Sequence, residues 1–151
     1  MSEPDRSTDP EFCALLLGSY HKLVGSQLEP AGLFSADAAR WLYQEAPFAV
    51  LAHDTAADPV FSYANERAQR AFGYDWAEFT ALPSRLSAGP QSREERKQFL
   101  SSVRRDGFAS GYRGLRVRKN GERFWVRDLT LWNLVDAAGT YRGQAAVFRE
   151  Q

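Results

Sequence analysis

Residues 112–135, YRGLRVRKNGERFWVRDLTLWNLV, decide the fold, because two runs of strand-forming residues flank Asn120-Gly121. The Asn-Gly pair tolerates the positive φ angles of a tight turn and predicts a β-hairpin with strands over 112–119 and 123–135. Residues 136–140, DAAGT, form a polar, glycine-containing connector to a further strand over 141–149. Three consecutive antiparallel strands are therefore predicted.

Two further strands are predicted before this unit. Residues 48–53, FAVLAH, form a short apolar run between Pro47 and the turn-forming residues 54–59, DTAADP, which is typical of a buried strand. Residues 60–64, VFSYA, continue as the second strand. This order predicts a five-stranded antiparallel sheet, interrupted once after its second strand.

The interruption over residues 65–107 is predicted to be helical. Its helix N-caps are Asn65, Asp75 and Ser92, and its helix stops are Gly73 and Gly107. The second and third of these caps are each followed three residues later by a glutamate, which is the spacing of a capping box. We expect three short helices in this segment.

Two helices are expected ahead of the sheet. Apolar residues recur at three- and four-residue intervals over 11–24, and a second helix is predicted over about 36–45 with Ser35 as its N-cap. The first ten residues, MSEPDRSTDP, are polar and contain two prolines, so they are expected to be flexible. The predicted organisation is a tail over 1–10, amino-terminal helices over 11–46 and a core over 47–151, with the helices and core in one domain.

Composition excludes several classes of protein. The 151 residues contain 19 Lys+Arg and 19 Asp+Glu, so bulk charge does not favour binding to nucleic acid or to an anionic membrane. No apolar run reaches the roughly 18–20 residues that cross a bilayer, and no signal peptide is apparent, so a cytoplasmic protein is expected. The single cysteine, Cys13, cannot form an internal disulfide, and the two histidines, His21 and His53, lie too far apart for a zinc motif.

The order of elements, together with residues 61–79, FSYANERAQRAFGYDWAEF, and the closing NGERFW and RGQAAVF motifs, resembles the PAS sensory fold. More specifically, residues 42–65, 82–96 and 131–148 look like the MEKHLA domain, a PAS-related family, and the resemblance covers nearly the whole chain after the tail. It implies an α+β fold: a PAS-like five-stranded antiparallel sheet with a helical insertion after the second strand and amino-terminal helices. The concave sheet face and the insertion would together enclose a small molecule.

A ligand pocket is predicted on that concave face. A two-residue turn at Asn120-Gly121 would pair the hairpin strands so that alternate residues of each strand face inward. The predicted inward residues are Leu115, Val117, Phe124, Val126, Asp128, Thr130, Trp132 and Leu134. Such a set suits either a ligand pocket or a packed core.

Asp128 and His53 are the polar candidates of this pocket. A carboxylate among apolar neighbours needs a partner, and Arg113 would sit opposite Asp128. The alternatives for Asp128 are a structural ion pair, a bulge that turns it to solvent, or a ligand-binding carboxylate. His53 ends the first strand beside Asp54, where it is structural or meets a polar ligand at the pocket mouth. No serine or cysteine lies near it in sequence to form a nucleophilic pair.

The resemblance also raises the question of a flavin. Residues 83–90, PSRLSAGP, are similar to the segment that carries the flavin-reactive cysteine in the light-oxygen-voltage (LOV) branch of the PAS fold. Ser84 stands at the cysteine position and lacks the thiol for a photoadduct, whereas Arg85 keeps the basic neighbour that meets the flavin phosphate. Two asparagine positions of that branch correspond to Arg116 and Val126.

Only Gln144, displaced by one residue, remains near the last-strand glutamine of LOV domains. The resemblance therefore leaves the cofactor unknown, with a flavin or another planar molecule bound without a photoadduct as an open alternative. Haem would need an axial histidine on the helical insertion, and neither His21 nor His53 lies there, so neither haem nor a metal is predicted.

The opposite sheet face is predicted to combine apolar and basic residues, namely Trp125, Leu129 and Leu131 with Arg116, Arg118 and Arg127. Such a face needs a cover, and the helix over 11–24, with Phe12 and Leu16, is the expected one. The cover comes from the same chain in a monomer or from a partner in a homodimer.

Three functions follow. The first is a sensory module, not an enzyme, that binds a small apolar or planar molecule and signals through protein–protein contacts. The second is a ligand-free dimerisation or interaction domain with a filled interior. The third and weakest is an enzyme that uses His53 with Asp54 or Asp128, which requires these side chains to converge in one cleft.

Overall fold

The computed structural model describes residues 6–88 and 93–150. Its helices are α1 (Pro10–Val24), α2 (Ser35–Arg40), α3 (Glu66–Phe72), α4 (Trp76–Phe79) and α5 (Arg93–Asp106). Its strands are β1 (Ala49–His53), β2 (Phe61–Ala64), β3 (Phe108–Val117), β4 (Arg123–Val135) and β5 (Tyr141–Glu150). Short 3-10 turns lie at Arg6–Thr8 and Ser84–Ser87, and a π-helical turn lies at Trp41–Glu45.

The five strands form one antiparallel sheet in the order β2-β1-β5-β4-β3. We call the face covered by α3, α4 and α5 the inner face, and the face covered by α1 and α2 the outer face. Each face has its own buried cluster, because successive side chains of a strand point to opposite sides. The predicted α+β class, with a helical insertion after the second strand, is confirmed.

Helix α1 packs on the outer face of its own chain. The indole Nε1 of Trp132 donates a hydrogen bond of 3.1 Å to the carbonyl of Leu16, which is fully buried, and Tyr20 contacts Trp132 edge to face. Phe12 lies against Tyr63 of β2, with ring centroids 5.8 Å apart. The predicted cover of the outer face therefore comes from the same chain, and Phe12 and Leu16 are used within it.

Asn65 ties three segments together. Its side-chain oxygen accepts from the backbone N–H groups of Ala68 and Val50, each at 3.0 Å, and its amide donates to the carbonyls of Leu42 at 3.0 Å and Phe48 at 3.1 Å. The predicted N-cap of α3 is thus confirmed, with a wider role. All four hydrogen-bonding positions of this fully buried amide are satisfied.

Several predicted ends of helices and strands are confirmed, and others are wrong. The Asp75 and Glu78 capping box is present, and Gly25 and Gly73 end their helices in the left-handed conformation. Ser35 is not an N-cap, since it is the first residue of α2 with a φ of 51° while Phe34 occupies the cap position without a side-chain bond. Strand β3 begins directly after Gly107, four residues earlier than predicted.

Two predictions touch the edges of the described residues. Ser92, the predicted cap of α5, lies outside the described residues. Within the predicted tail, residues 1–5 also lie outside them, while Ser7 is buried in the 3-10 turn and α1 begins at Pro10.

The predicted two-residue hairpin turn is wrong by one residue. Arg118 donates its backbone N–H to the carbonyl of Glu122 at 2.8 Å, which leaves a three-residue loop that ends at Gly121 with a φ of 87°. The loop is held from outside, since Lys119 donates its backbone N–H to the carbonyl of Phe72 at 2.8 Å and its side chain pairs with Glu78.

This one-residue shift exchanges the two faces of β3. Leu115 now pairs with Trp125 and Val117 with Arg123, on the outer face, whereas Arg116 pairs with Phe124 on the inner face. The predicted inward orientation of Leu115 and Val117 is therefore wrong, and so is the predicted outward orientation of Arg116 and Arg118. The guanidinium of Arg118 lies 3.9 Å from the ring of the inner residue Phe124.

A β-bulge at Asp128 exchanges the faces of β4 in the same way. Arg127 pairs with Arg149 and Thr130 pairs with Val147. The chain thus advances three positions in β4 but only two in β5, so β4 has one extra residue in this interval. The predicted period-two alternation therefore holds before Asp128 and is wrong after it. Leu129 and Leu131 point inward, opposite to prediction, whereas the outer residues are Thr130, Trp132 and Leu134.

Gly143 of β5 offers a direct test of this packing. A Cβ atom at Gly143 would lie 2.1 Å from the carbonyl oxygen of His53, and the φ of 128° is unfavourable for other residues. We expect Gly143→Ala to lower the free energy of unfolding by on the order of 3 kcal/mol, measured by urea denaturation.

Gly18 is the matched control, since it lies within α1 and an added Cβ has no atom within 4 Å. Gly18→Ala should raise stability by about 0.5–1 kcal/mol. Equal effects of the two substitutions would contradict the close approach of β5 to His53.

Candidate ligand-binding site

The inner face contains a pocket of about 170 Å³ that is partly open to solvent. Its floor is the sheet, and the 3-10 turn Ser84–Ser87 and the side chain of Phe99 on α5 also border it. The larger apolar side chains that line it are Leu51, Phe61, Phe99, Leu129, Leu131 and Phe148. We call this space the inner cavity.

A few polar side chains also border the inner cavity. His53 Nδ1 lies 2.8 Å from the backbone carbonyl of Asp54, and Gln144 donates its amide to Asn133 Oδ1 at 3.0 Å. Ser87 donates its hydroxyl to the carbonyl of Ser84 at 2.8 Å. Arg116 contributes the cationic group of the lining, and burial lowers the pKa of its guanidinium.

The inner face is closely packed beside the cavity. Phe72 of α3 contacts Phe79 and Phe124 edge to face, with ring centroids 5.4 and 5.2 Å apart. Val126 is fully buried in the same cluster. Phe124 and Val126 thus have the predicted inward orientation, but they pack as core beside the cavity and do not line it.

The predicted pocket residues separate into two groups. His53, Ser84 and Gln144 line the inner cavity. The others lie elsewhere: Leu115, Val117 and Thr130 are on the outer face, Asp128 is at the exposed bulge, and Arg85 is exposed and pairs with Asp58 at 3.2 Å. The separation follows from the hairpin register and the bulge.

Asp128 adopts the alternative in which a bulge turns it to solvent. Its φ is 54°, its side chain is 68% exposed, and it lies 3.4 Å from Arg127. Arg113, the expected partner, instead stacks on the ring of Trp125 at 4.1 Å.

The geometry required by the enzyme hypothesis is not formed. The imidazole of His53 meets the backbone carbonyl of Asp54, while the carboxylate of Asp54 accepts from the N–H groups of Ala56 and Val60 in the following turn. Asp128 is held at the exposed bulge by Arg127. No described carboxylate therefore orients His53 for acid–base chemistry.

The inner cavity does not fit a flavin held as in a LOV domain. Ser84 lines the cavity where a thiol would be needed, and Cys13 is buried in α1 on the outer side of the sheet, where burial raises its pKa to about 12. Arg85 points away into an exposed ion pair. The volume is also below the roughly 300–1,000 Å³ of pockets for drug-sized ligands.

The sequence prediction missed Phe61, Leu129, Leu131 and Arg116 as cavity residues. The sequence of β4 gave no clear signal for Leu129 and Leu131, because apolar residues occupy both even and odd positions of the strand, including Trp132 and Leu134. Arg116 carried no signal either, because its face depends on the loop that precedes β4.

The family model of the MEKHLA domain matches residues 10–151, which is nearly the whole chain. The fold is like that of solved PAS and LOV domains. The chain belongs to the MEKHLA domain family. The comparison with curated proteins finds no match to this chain.

Solved structures similar to this chain are PAS and LOV domains. An RNA-binding LOV receptor has 25% identity and a TM-score of 0.64, covering 83% of this chain and 35% of its own. The LOV domain of a blue-light activated histidine kinase from Erythrobacter litoralis has 19% identity and a TM-score of 0.58, covering 70% and 96%. A PAS domain from Colwellia psychrerythraea has 16% identity and a TM-score of 0.57, covering 69% and 86%.

Two further features concern only residues 6–88 and 93–150. Within these ranges, no helix has the length and apolar character needed to cross a membrane. The same ranges contain no cluster of three or more His, Cys, Asp or Glu side chains placed to hold a metal ion.

Substitutions at Asp128 test the bulge against the predicted ligand role. Asp128→Gly should leave stability unchanged or raise it by up to about 1 kcal/mol, because glycine accepts positive φ without strain and an exposed ion pair contributes little. Asp128→Val should lower stability by about 1–2 kcal/mol, since a β-branched residue is strained there. Thermal and urea unfolding measure both values.

Asp128→Asn is the control, since asparagine also tolerates the left-handed conformation and lacks the charge. Its stability should lie within about 0.5 kcal/mol of the wild type. A large loss in both the Gly and Asn variants would contradict an exposed bulge and point to a buried partner.

Proposed function

We propose that this chain is a PAS-like sensory module that binds a small apolar or planar molecule in the inner cavity. The observation that carries the proposal is an apolar space of about 170 Å³ beside a solidly packed aromatic cluster. A mostly apolar pocket bordered by a few polar side chains has the composition of a small-molecule site. A guest molecule would cover its apolar walls.

The size of the inner cavity sets the size of the proposed guest. An apolar cavity of about 150 Å³ is sufficient for benzene. The inner cavity, at about 170 Å³, is therefore suited to a molecule with one ring or a short chain. A flavin bound without a photoadduct is the second ligand hypothesis, supported by the LOV neighbours, and it requires the cavity walls to move apart.

The walls of the inner cavity offer a route for a signal. Ser84–Ser87 and α5 contact the guest space from the insertion, and an isolated backbone bridge between Ala88 and Arg116 joins this wall to the sheet. A guest that changes the distance between this wall and the sheet would alter the packing of the insertion. We propose that the altered surface is recognised by another protein.

The outer face supplies a candidate contact surface. Trp125 is 44% exposed beyond the edge of α1, with Arg113 stacked on its ring. This observation also favours the alternative function, a ligand-free interaction or dimerisation domain. Of the five predicted interface residues, Trp125 remains exposed, while Phe12 and Leu16 pack within the chain and Leu129 and Leu131 face the inner cavity.

Other classes of partner receive less support. One structural neighbour is an RNA-binding receptor, but equal numbers of acidic and basic residues give this chain no bulk attraction for nucleic acid. The proposal also assigns no catalysis, because the His53 environment lacks an orienting carboxylate among the described residues.

Native mass spectrometry and an absorption spectrum of freshly purified protein test the proposal. We expect a small molecule that leaves on denaturation, or else a higher melting temperature with small aromatic probes. A ligand at 100 times its Kd should raise the melting temperature by about 5–10 °C. A single mass without adduct, together with no shift by any probe, would support the interaction domain, and a flavin band would support the second ligand hypothesis.

Ala146→Leu tests whether the inner cavity is the binding site, because Ala146 lines it and a larger side chain there occupies the guest space. We expect the variant to fold and to lose the probe-induced shift. Ala57→Leu, in the exposed turn after β1, is the matched control and should keep the shift. Retained binding in Ala146→Leu would place the ligand elsewhere.

A further inference from the structure

Arg116 is an unusual component of an apolar cavity. It lies in β3 opposite Phe124, and its side chain reaches the inner cavity between Ser87, Phe99 and Leu129. Its one side-chain hydrogen bond runs from Nη1 to the carbonyl of the adjacent Leu115, at 3.3 Å. Among the residues that the structure describes, no carboxylate lies within ion-pair distance of this guanidinium.

The pocket partly desolvates this cation. The side chain is half-buried, and desolvation lowers the pKa of Arg116, yet a guanidinium stays protonated in proteins. A charge in a mostly apolar pocket is stabilised by an opposite charge more than it would be in bulk water. The inner cavity therefore presents a positive charge that suits an anion and that no described carboxylate pairs with.

Neighbouring arginines show a different pattern. Arg118, two residues along the same strand, pairs with Glu122 at 3.2 Å and stacks on Phe124. Arg85, at the other side of the 3-10 turn, pairs with Asp58. Both arginines have a partner within the chain, whereas Arg116 faces the space where a guest would lie.

We propose that the inner cavity binds a small organic monocarboxylate, with the carboxylate on Arg116 and the apolar part between Leu129 and Phe148. This inference rests on the proposed function and names its ligand class. The planar guanidinium fork matches a carboxylate with two parallel hydrogen bonds. A single ring carrying one carboxylate matches both the volume of about 170 Å³ and the one arginine among the described lining residues.

The polar lining favours one negative charge over two. Apart from Arg116, the polar side chains among the described lining residues are His53, Ser84, Ser87 and Gln144, of which three are neutral amide or hydroxyl groups. These three groups provide hydrogen bonds without adding a fixed positive charge. A phosphate dianion would retain uncompensated charge among apolar walls, whereas a carboxylate is neutralised by Arg116 alone.

Benzoate and benzamide form a matched pair of probes, because they have the same ring and nearly the same shape but differ in charge. Their affinities for the full chain are measured by NMR chemical-shift titration at neutral pH. We expect benzoate to bind at least about tenfold more tightly than benzamide, as a charge-assisted pair in a desolvated site requires. Arg116→Gln should abolish this preference by weakening the binding of benzoate to the level of benzamide.

Arg123→Gln is the control, since Arg123 is an exposed arginine of the same hairpin on the outer face. It should keep the preference for benzoate. Arg116→Lys retains the charge without the planar fork and should keep part of the preference. It serves as the second variant if Arg116→Gln does not fold, as judged by its melting transition.

The outcomes separate this inference from the proposed function. Equal binding of the two probes to the wild type, or a benzoate preference that survives in Arg116→Gln, would overturn the carboxylate assignment and leave a cavity for neutral guests. Loss of both probes in Ala146→Leu supports the site, whereas benzoate binding that survives there overturns it. No binding of either probe to the wild type would contradict both proposals.

Discussion

A single extra residue in β4 determines which side chains this protein presents to its inner cavity. Side chains alternate between the faces of a strand, so a bulge at Asp128 moves every later residue of the strand to the other face. Leu129 and Leu131 thereby reach the cavity, and Trp132 and Leu134 reach α1. Without the bulge, different side chains of β4 would contact α1 and different side chains would line the cavity.

The length of the hairpin loop determines which side chains of β3 point to the inner face. A three-residue loop ending at Gly121 brings Arg116 inward, and the contact of Lys119 with the end of α3 helps to select that loop. The cation of the inner cavity is thus placed by a turn at the far end of its strand. The loop and the bulge act on adjacent strands, and together they bring the apolar residues Leu129 and Leu131 and the cation of Arg116 to the same cavity.

Close packing lies beside this cavity and behind its floor. The ring contacts of Phe72 fill the inner face beneath α3, and the buried amide of Asn65 links α3 to β1 and to the segment before it. On the outer face, the hydrogen bond from Trp132 to Leu16 anchors α1. These contacts fix the sheet that forms the cavity floor.

Local signals in the sequence were sufficient for the fold and for most element boundaries. The apolar run at 48–53, the caps at Asn65 and Asp75 and the Asn120-Gly121 turn each act through residues within a few positions of one another. They predicted correctly the five strands along the chain and the helical insertion after the second strand. The face of each hairpin residue was decided only by tertiary structure. The pairing register of β3 and β4 depends on the length of the hairpin loop, which the contact with α3 stabilises. The register of β4 with its neighbouring strands also depends on the bulge. A change of one residue in the loop or the bulge moves the side chains of a strand to the opposite face of the sheet.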